Sequence, residues 1–106
     1  MEIKKGSIVA CDLDKTLCLG ESFTDLDCIK ALPILDMIDY VNNVLFRKKE
    51  CFIVIHTARR EHLRIATEYW LRKYNIQYHT LVCGKLWAHY YIDDRNVLIE
   101  DLLGGK

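Results

Sequence analysis

The chain has 106 residues, enough for one domain and one core but not two. Its 51% hydrophobic and 28% charged residues exclude disordered and collagen-like classes. Fifteen basic residues balance fifteen acidic ones, so no global field holds a nucleic acid backbone or an anionic membrane. No nucleic acid and no membrane partner is expected, and any anionic ligand must be caught locally. The amino end, Met1-Glu2-Ile3-Lys4-Lys5, lacks the apolar stretch of a signal peptide, which points to a cytoplasmic protein.

Ser7 to Leu13 is a short apolar, β-branched run ending in acidic residues, as expected of a buried central strand. Asp14 to Lys30 holds no period and contains Gly20, so it reads as a loop or hairpin flap. Pro33 opens a helix over 33–50, with Ile34, Ile38, Val41 and Leu45 on one face. Arg47, Lys48 and Lys49 suit the negative end of its dipole. Cys51 to Ile55 reads as a second buried strand, followed by His56, Thr57 and Ala58.

Leu63, Ala66, Trp70 and Tyr74 mark one face of a helix over 60–74, which Asn75 stops. Tyr78 to Cys83 is a third, shorter strand. Beyond Gly84 and Lys85 a brief turn leads to a fourth strand, His89 to Ile92, capped by Asp93 and Asp94. A last amphipathic helix over 96–103 ends in Gly104-Gly105. This alternation is the grammar of an open parallel α/β sheet with helices on its faces, in which ligands bind beyond the carboxyl ends of the strands.

The unusual polar residues fall at those ends: Asp12 and Asp14 after the first strand, Thr57 after the second, Lys85 before the fourth, and Asp93 and Asp94 after it. Two unit charges about 4 Å apart repel by roughly 4 kcal/mol at an effective dielectric of 20, so four carboxylates in a small space need a cation. Oxygen ligands without His or Cys favour a hard ion that keeps positions open for water and phosphate, hence Mg²⁺. Asp12, ionised at neutral pH, needs no base to attack phosphorus. Asp14 emerges on the same side of the chain and is placed to act as general acid, then base. Thr57 and Lys85 would hold phosphoryl oxygens.

Asp12-Leu13-Asp14-Lys15-Thr16-Leu17 resembles motif I of the haloacid dehalogenase (HAD) superfamily. Ile55-His56-Thr57-Ala58-Arg59 resembles motif II, Gly84-Lys85 motif III, and Tyr91-Ile92-Asp93-Asp94-Arg95 motif IV. The four occur in the family's order. The resemblance implies a three-layer, Rossmann-like core with strand order 3-2-1-4 and a Mg-dependent phosphomonoester hydrolase working through an aspartyl phosphate. It implies Asp12 as nucleophile, Asp14 as acid/base, and Thr57, Ala58 and Lys85 as phosphate ligands. It also implies a metal site from Asp12, the main-chain carbonyl of Asp14, and Asp93 or Asp94, with Asp93 preferred. Lys15 departs from the family's usual glycine. The connections between motifs are too short for a cap domain, so the whole chain, 1–106, reads as a single capless domain. The style of motifs II and IV is similar to small members associated with capsule or lipopolysaccharide sugar synthesis, which implies a small phosphorylated metabolite such as a sugar phosphate.

Arg59 is close enough to Thr57 to contact substrate, or else is solvated or paired with Glu61. Arg95 is an ion-pair or catalytic candidate behind the acidic pair. His56, His62, His79 and His89 are scattered and the magnesium chemistry does not need them. The cysteines, Cys11, Cys18, Cys28, Cys51 and Cys83, form no ligand cluster and read as reduced, mostly buried residues. Tyr69, Trp70 and Tyr74 suit core or subunit packing, as do Tyr40, Phe46 and Trp87. Val97, Leu98, Leu102 and Leu103 offer a surface for a homo-oligomer. Three rivals stand beside the hydrolase: a phosphorylated receiver module, a HAD-like scaffold without catalysis, and a phosphotransferase with an acceptor other than water. Receivers carry their acidic pair on the first strand and their lysine on the last, the reverse of the order here.

Overall fold

The computed structural model describes residues 2–83 and 89–92. Expectations for Lys85, Trp87, Asp93, Asp94, Arg95 and the helix over 96–103 lie outside these residues. The described chain is a small α/β fold around an open parallel sheet. Strand β1 is Ile8–Asp12, β2 Phe52–Thr57, β3 Thr80–Cys83 and β4 Tyr90–Ile92. They lie side by side in the order β3-β2-β1-β4, every pair parallel. The register sets Asp12 beside His56, Cys11 beside Ile92, and Thr57 beside Cys83. The carboxyl ends of the strands therefore share one rim.

Val9, Cys11, Ile53, Ile55, Leu81 and Ile92 join one core cluster, while Ala10 and Val54, which alternate with them, are buried as well. Burial of both sets is why β1 and β2 read as continuous apolar runs, as strands of a parallel sheet do. Two histidines finish the sheet's amino edge. The Ile53 N–H donates to His79 Nδ1 at 2.9 Å and the Ile8 N–H to His89 Nδ1 at 3.1 Å. Each histidine's own N–H returns a bond to the carbonyl of the same residue. These rings satisfy strand backbone far from the acidic rim.

Helix α2 starts at Leu35–Asp39 and continues as wider, π-type turns over Tyr40–Lys48. Met37, Ile38, Val41 and Leu45 face the core. Glu50 takes a left-handed φ of 50° and lets the Cys51 N–H reach back to the Leu45 carbonyl at 2.9 Å, which closes the helix. A 3₁₀ turn, Glu61–Leu63, leads into helix α3, Arg64–Lys73. Trp70 is fully buried on α3, its indole N–H donates to the Ala31 carbonyl at 2.8 Å, and Tyr74 packs on its ring at 4.9 Å. Tyr69, by contrast, is 46% exposed and lies outside the core.

The segment after β1 corrects the expectation of a loop throughout 14–30. It contains a short helix α1, Asp25–Lys30, opened by a reciprocal cap in which Asp27 N–H donates to Thr24 Oγ1 and Thr24 N–H to Asp27 Oδ2. Cys28 of α1 packs with Leu63 and Ala66 beside α3. The flap's base is zipped: Leu19 N–H donates to the Leu32 carbonyl and Ile34 N–H to the Leu17 carbonyl, both at 2.8 Å. β2 also runs past the expected Ile55, carrying His56 and Thr57 in the ladder. Cys11, Cys18, Cys28 and Cys51 are buried free thiols. Among the described residues no helix is long and apolar enough to cross a membrane.

Trp70 ties α3 to the flap by both volume and a hydrogen bond. Trp70→Ala should lower stability by about 3–5 kcal/mol, a large share of a small domain's total, as read from the midpoint of a urea unfolding curve.

Candidate active site

Asp12 closes β1 and is partly buried, and its Oδ1 accepts the Leu13 N–H at 2.8 Å. That bond turns the carboxylate along the chain at the strand end. Leu13 is fully buried, and its carbonyl accepts the N–H groups of Thr16, Leu17 and Cys18. The chain thus turns sharply just beyond the acidic pair. Lys15 makes this turn with φ 67°, a conformation that glycine adopts freely and lysine adopts at a cost. Its ammonium sits at the surface, 3.0 Å from Glu21. The departure from glycine is accommodated by backbone strain plus an exposed ion pair.

Arg59 holds the site together. Its side chain is neither solvated nor paired with Glu61, which belongs to Arg64. The residue is only 6% exposed. Nε donates to Asp14 Oδ2 at 3.2 Å and Nη2 to Asp14 Oδ1 at 2.7 Å, a two-pronged pair. Nη2 also reaches Ser22 Oγ at 3.2 Å, and Nη1 donates to Thr67 Oγ1 at 2.9 Å. One guanidinium therefore joins the acidic turn, the flap and α3. Burial works to lower the Arg59 pKa, but the hydrogen bonds and charge of Asp14 outweigh it, and the guanidinium is held above its ordinary value. Beside it Cys18, desolvated and facing the Asp14 carboxylate, is pushed up to about 12 and stays a thiol.

Thr57 is buried at the end of β2, and its Oγ1 accepts the Arg59 N–H at 3.0 Å. The hydroxyl braces the turn that delivers Arg59 and retains its proton for donation. A cavity of about 600 Å³ opens at this rim, and Asp12, Asp14, Lys15, Ser22, Ala58 and Arg59 all line it. Asp12, Asp14, Ala58 and Arg59 are thus brought to one space, with Thr57 immediately behind the turn. Lys85, Asp93 and Asp94 lie outside the described residues. Among the described residues no three His, Cys, Asp or Glu side chains gather into a metal cluster. What is present at the strand end suits a hard cation: the Asp12 carboxylate, and an Asp14 carbonyl on which no hydrogen bond among the described residues ends.

Ser22 and Thr67 were not foreseen as parts of the site. They lie 37 and 8 residues from Arg59 and have no motif spacing to mark them.

The fold and rim define a small α/β protein whose parallel sheet carries an acid–arginine pair beside its carboxyl edge. No family model and no curated protein matches the chain. A crystal structure of a protein from Vibrio cholerae is similar, at 28% identity and a TM-score of 0.69 over 95% of this chain and 88% of that one. Chains in two structures of the Pnkp1/Rnl/Hen1 complex, in one case named the Pnkp1/Rnl/Hen1 RNA repair complex, also share the fold. They are 19% identical with TM-scores of 0.62 and 0.63, over 92% of this chain. This chain spans about a third of theirs, 32% and 30%.

Removing the arginine leaves Asp14 partly buried without its counter-charge. Arg59→Met should destabilise by about 3–5 kcal/mol, and a double-mutant cycle with Asp14→Asn should return a coupling above about 1 kcal/mol in urea unfolding. At Lys15 the direction reverses: Lys15→Gly should raise stability by up to about 1 kcal/mol and Lys15→Val should lower it, measured the same way.

Proposed function

We propose that this chain is a Mg²⁺-dependent phosphomonoester hydrolase of the capless HAD type, built on a three-layer, Rossmann-like core and acting through a phosphorylated Asp12. The observation that carries the reading is the meeting of Asp12, Asp14, Ala58 and Arg59 around one cavity at the carboxyl edge of a parallel sheet. The order of the sequence motifs supports it independently.

In this reading Asp14 enters the cycle protonated on a lone pair that Arg59 does not use; an Asp12 carboxylate oxygen attacks phosphorus, the ester P–O bond breaks, and the departing alkoxide takes that proton, which leaves the Asp14 carboxylate paired with Arg59. Asp14 then accepts a proton from water as that water attacks the aspartyl phosphate, which returns Asp12 and releases inorganic phosphate. The sum is ester plus water to alcohol plus phosphate. Arg59 serves by fixing Asp14 rather than by touching substrate, since its guanidinium is already committed to Asp14, Ser22 and Thr67. A carboxylate has about four lone-pair sites, so the pair with Arg59 leaves room for the proton. Thr57, the Ala58 main chain and Lys85 would orient the phosphoryl oxygens, on which charge develops in the transition state. Asp12, the Asp14 carbonyl and Asp93, with Asp94 nearby, would hold Mg²⁺, which when bound supplies the positive charge that lets the carboxylates and phosphate coexist. A sugar phosphate as substrate rests on the motif resemblance alone.

Purified protein should hydrolyse an aryl phosphate with Mg²⁺ and lose that activity in EDTA. Asp12→Asn should lower the rate by about a thousandfold or more while its thermal unfolding midpoint stays within a few degrees of the parent. Full activity in Asp12→Asn would rule the mechanism out.

A further inference from the structure

The cavity that holds the acid–arginine pair is also lined by Phe23, Arg60 and His62, whose exposure puts them at its solvent side, or mouth, with Leu63 buried behind them. Phe23 is 72% exposed, an unfavourable state for a phenyl ring in water. Its backbone is nevertheless fixed on both sides. Ser22 is buried and bonded to Arg59, and the Phe23 N–H donates to Asp27 Oδ2 at 3.2 Å within the α1 cap. The ring is presented from an anchored chain, so little backbone freedom remains for a ligand to remove.

Arg60 is held similarly. It follows the buried Arg59, and its carbonyl accepts the Leu63 N–H at 3.0 Å. The Ser22–Arg59 bond links the two segments, and Phe23 and Arg60 line the same cavity. The exposed side chains of Arg60 and His62 make no hydrogen bond or ion pair among the described residues, whereas Lys15, Arg59 and Arg64 are all paired with acids. Unlike those cations, Arg60 has no ion pair among the described residues, and Glu21, which also lines the cavity, is paired with Lys15.

An aromatic face on an anchored chain and a guanidinium with no ion pair among the described residues, both lining one cavity, are complementary to a leaving group with a flat ring and its own negative charge. We propose that the mouth is a specificity site for nucleotides carrying two phosphate groups. The phosphate to be cleaved reaches Asp12, the base stacks on Phe23, and the second phosphate pairs with Arg60. A neutral sugar uses neither the charge of Arg60 nor the full face of the ring. The balanced net charge of the chain suits a small nucleotide, which needs only local contacts, better than a long polyanion. This inference rests on the hydrolase reading for its direction, but its binding step can be tested without turnover.

The test compares adenosine 3′,5′-bisphosphate, phenyl phosphate and glycerol phosphate as substrates with Mg²⁺. The bisphosphate should have the highest kcat/KM. Arg60→Ala should lower the ratio of its kcat/KM to that of phenyl phosphate about tenfold, and Phe23→Ala the ratio to that of glycerol phosphate by a similar factor. Calorimetry on Asp12→Asn, with the same two substitutions added singly, should show bisphosphate binding weakened about tenfold by each. If neither substitution weakens binding, or if glycerol phosphate is the best substrate, the mouth has no such role. If no ester is hydrolysed while bisphosphate binding still depends on Phe23 and Arg60, the hydrolase reading fails and the nucleotide site stands.

Discussion

The buried pair between Arg59 and Asp14 is the constraint around which the rest of the rim is arranged. A guanidinium with 3% of its side chain exposed cannot rely on water, and Asp14, at 19%, has little more access. Removing both charges from solvent costs several kcal/mol per ion, recovered only if their remaining hydrogen-bonding groups are also satisfied. Thr67 on α3 and Ser22 in the flap meet that demand from two other elements. The pair thus fixes three segments relative to one another instead of simply adding stability. Cys18 beside it stays a thiol, because burial first and the Asp14 carboxylate second disfavour a thiolate by more than the Arg59 charge offsets.

Much of the scaffold was legible because β1 and β2 are buried on both faces and so announce themselves as unbroken apolar runs. The limits of those runs were less clear. Polar His56 and Thr57 remain in the β2 ladder because backbone pairing with Val82 and Cys83 continues past the last aliphatic residue. Helix α1 escaped notice because Asp25–Lys30 buries only Cys28 in six residues, too little for any periodicity. Its one local signal was Thr24 three residues before Asp27, an acid where glutamate or glutamine is the familiar partner.

Asp12 and Asp14 could be singled out from sequence since carboxylates at a central strand end are costly and therefore informative. Arg59 could be found as a candidate, but its role could not. Its partners are 45, 37 and 8 residues away, and no pattern within the Thr57-Ala58-Arg59 turn distinguishes a buried arginine from one reaching into solvent. The distinction depends on how the flap folds over the rim. That information is distributed through the capping of α1, the packing of Cys28 beside Leu63, and the bond from Trp70 to Ala31.

The zipped base of the flap has an implication for how such a protein could change over time. Because the chain leaves at Leu17 to Leu19 and returns at Leu32 to Ile34 along paired backbone, the two ends of the loop are held together by the scaffold itself. Extra residues inserted at its exposed tip would lengthen a loop already closed, at about 0.6 kcal/mol for each doubling. The sheet and the acidic turn would not be stretched. The protein therefore offers a thermodynamically inexpensive place to acquire a larger covering over the cavity, while the sheet and the acidic turn beneath stay unaltered.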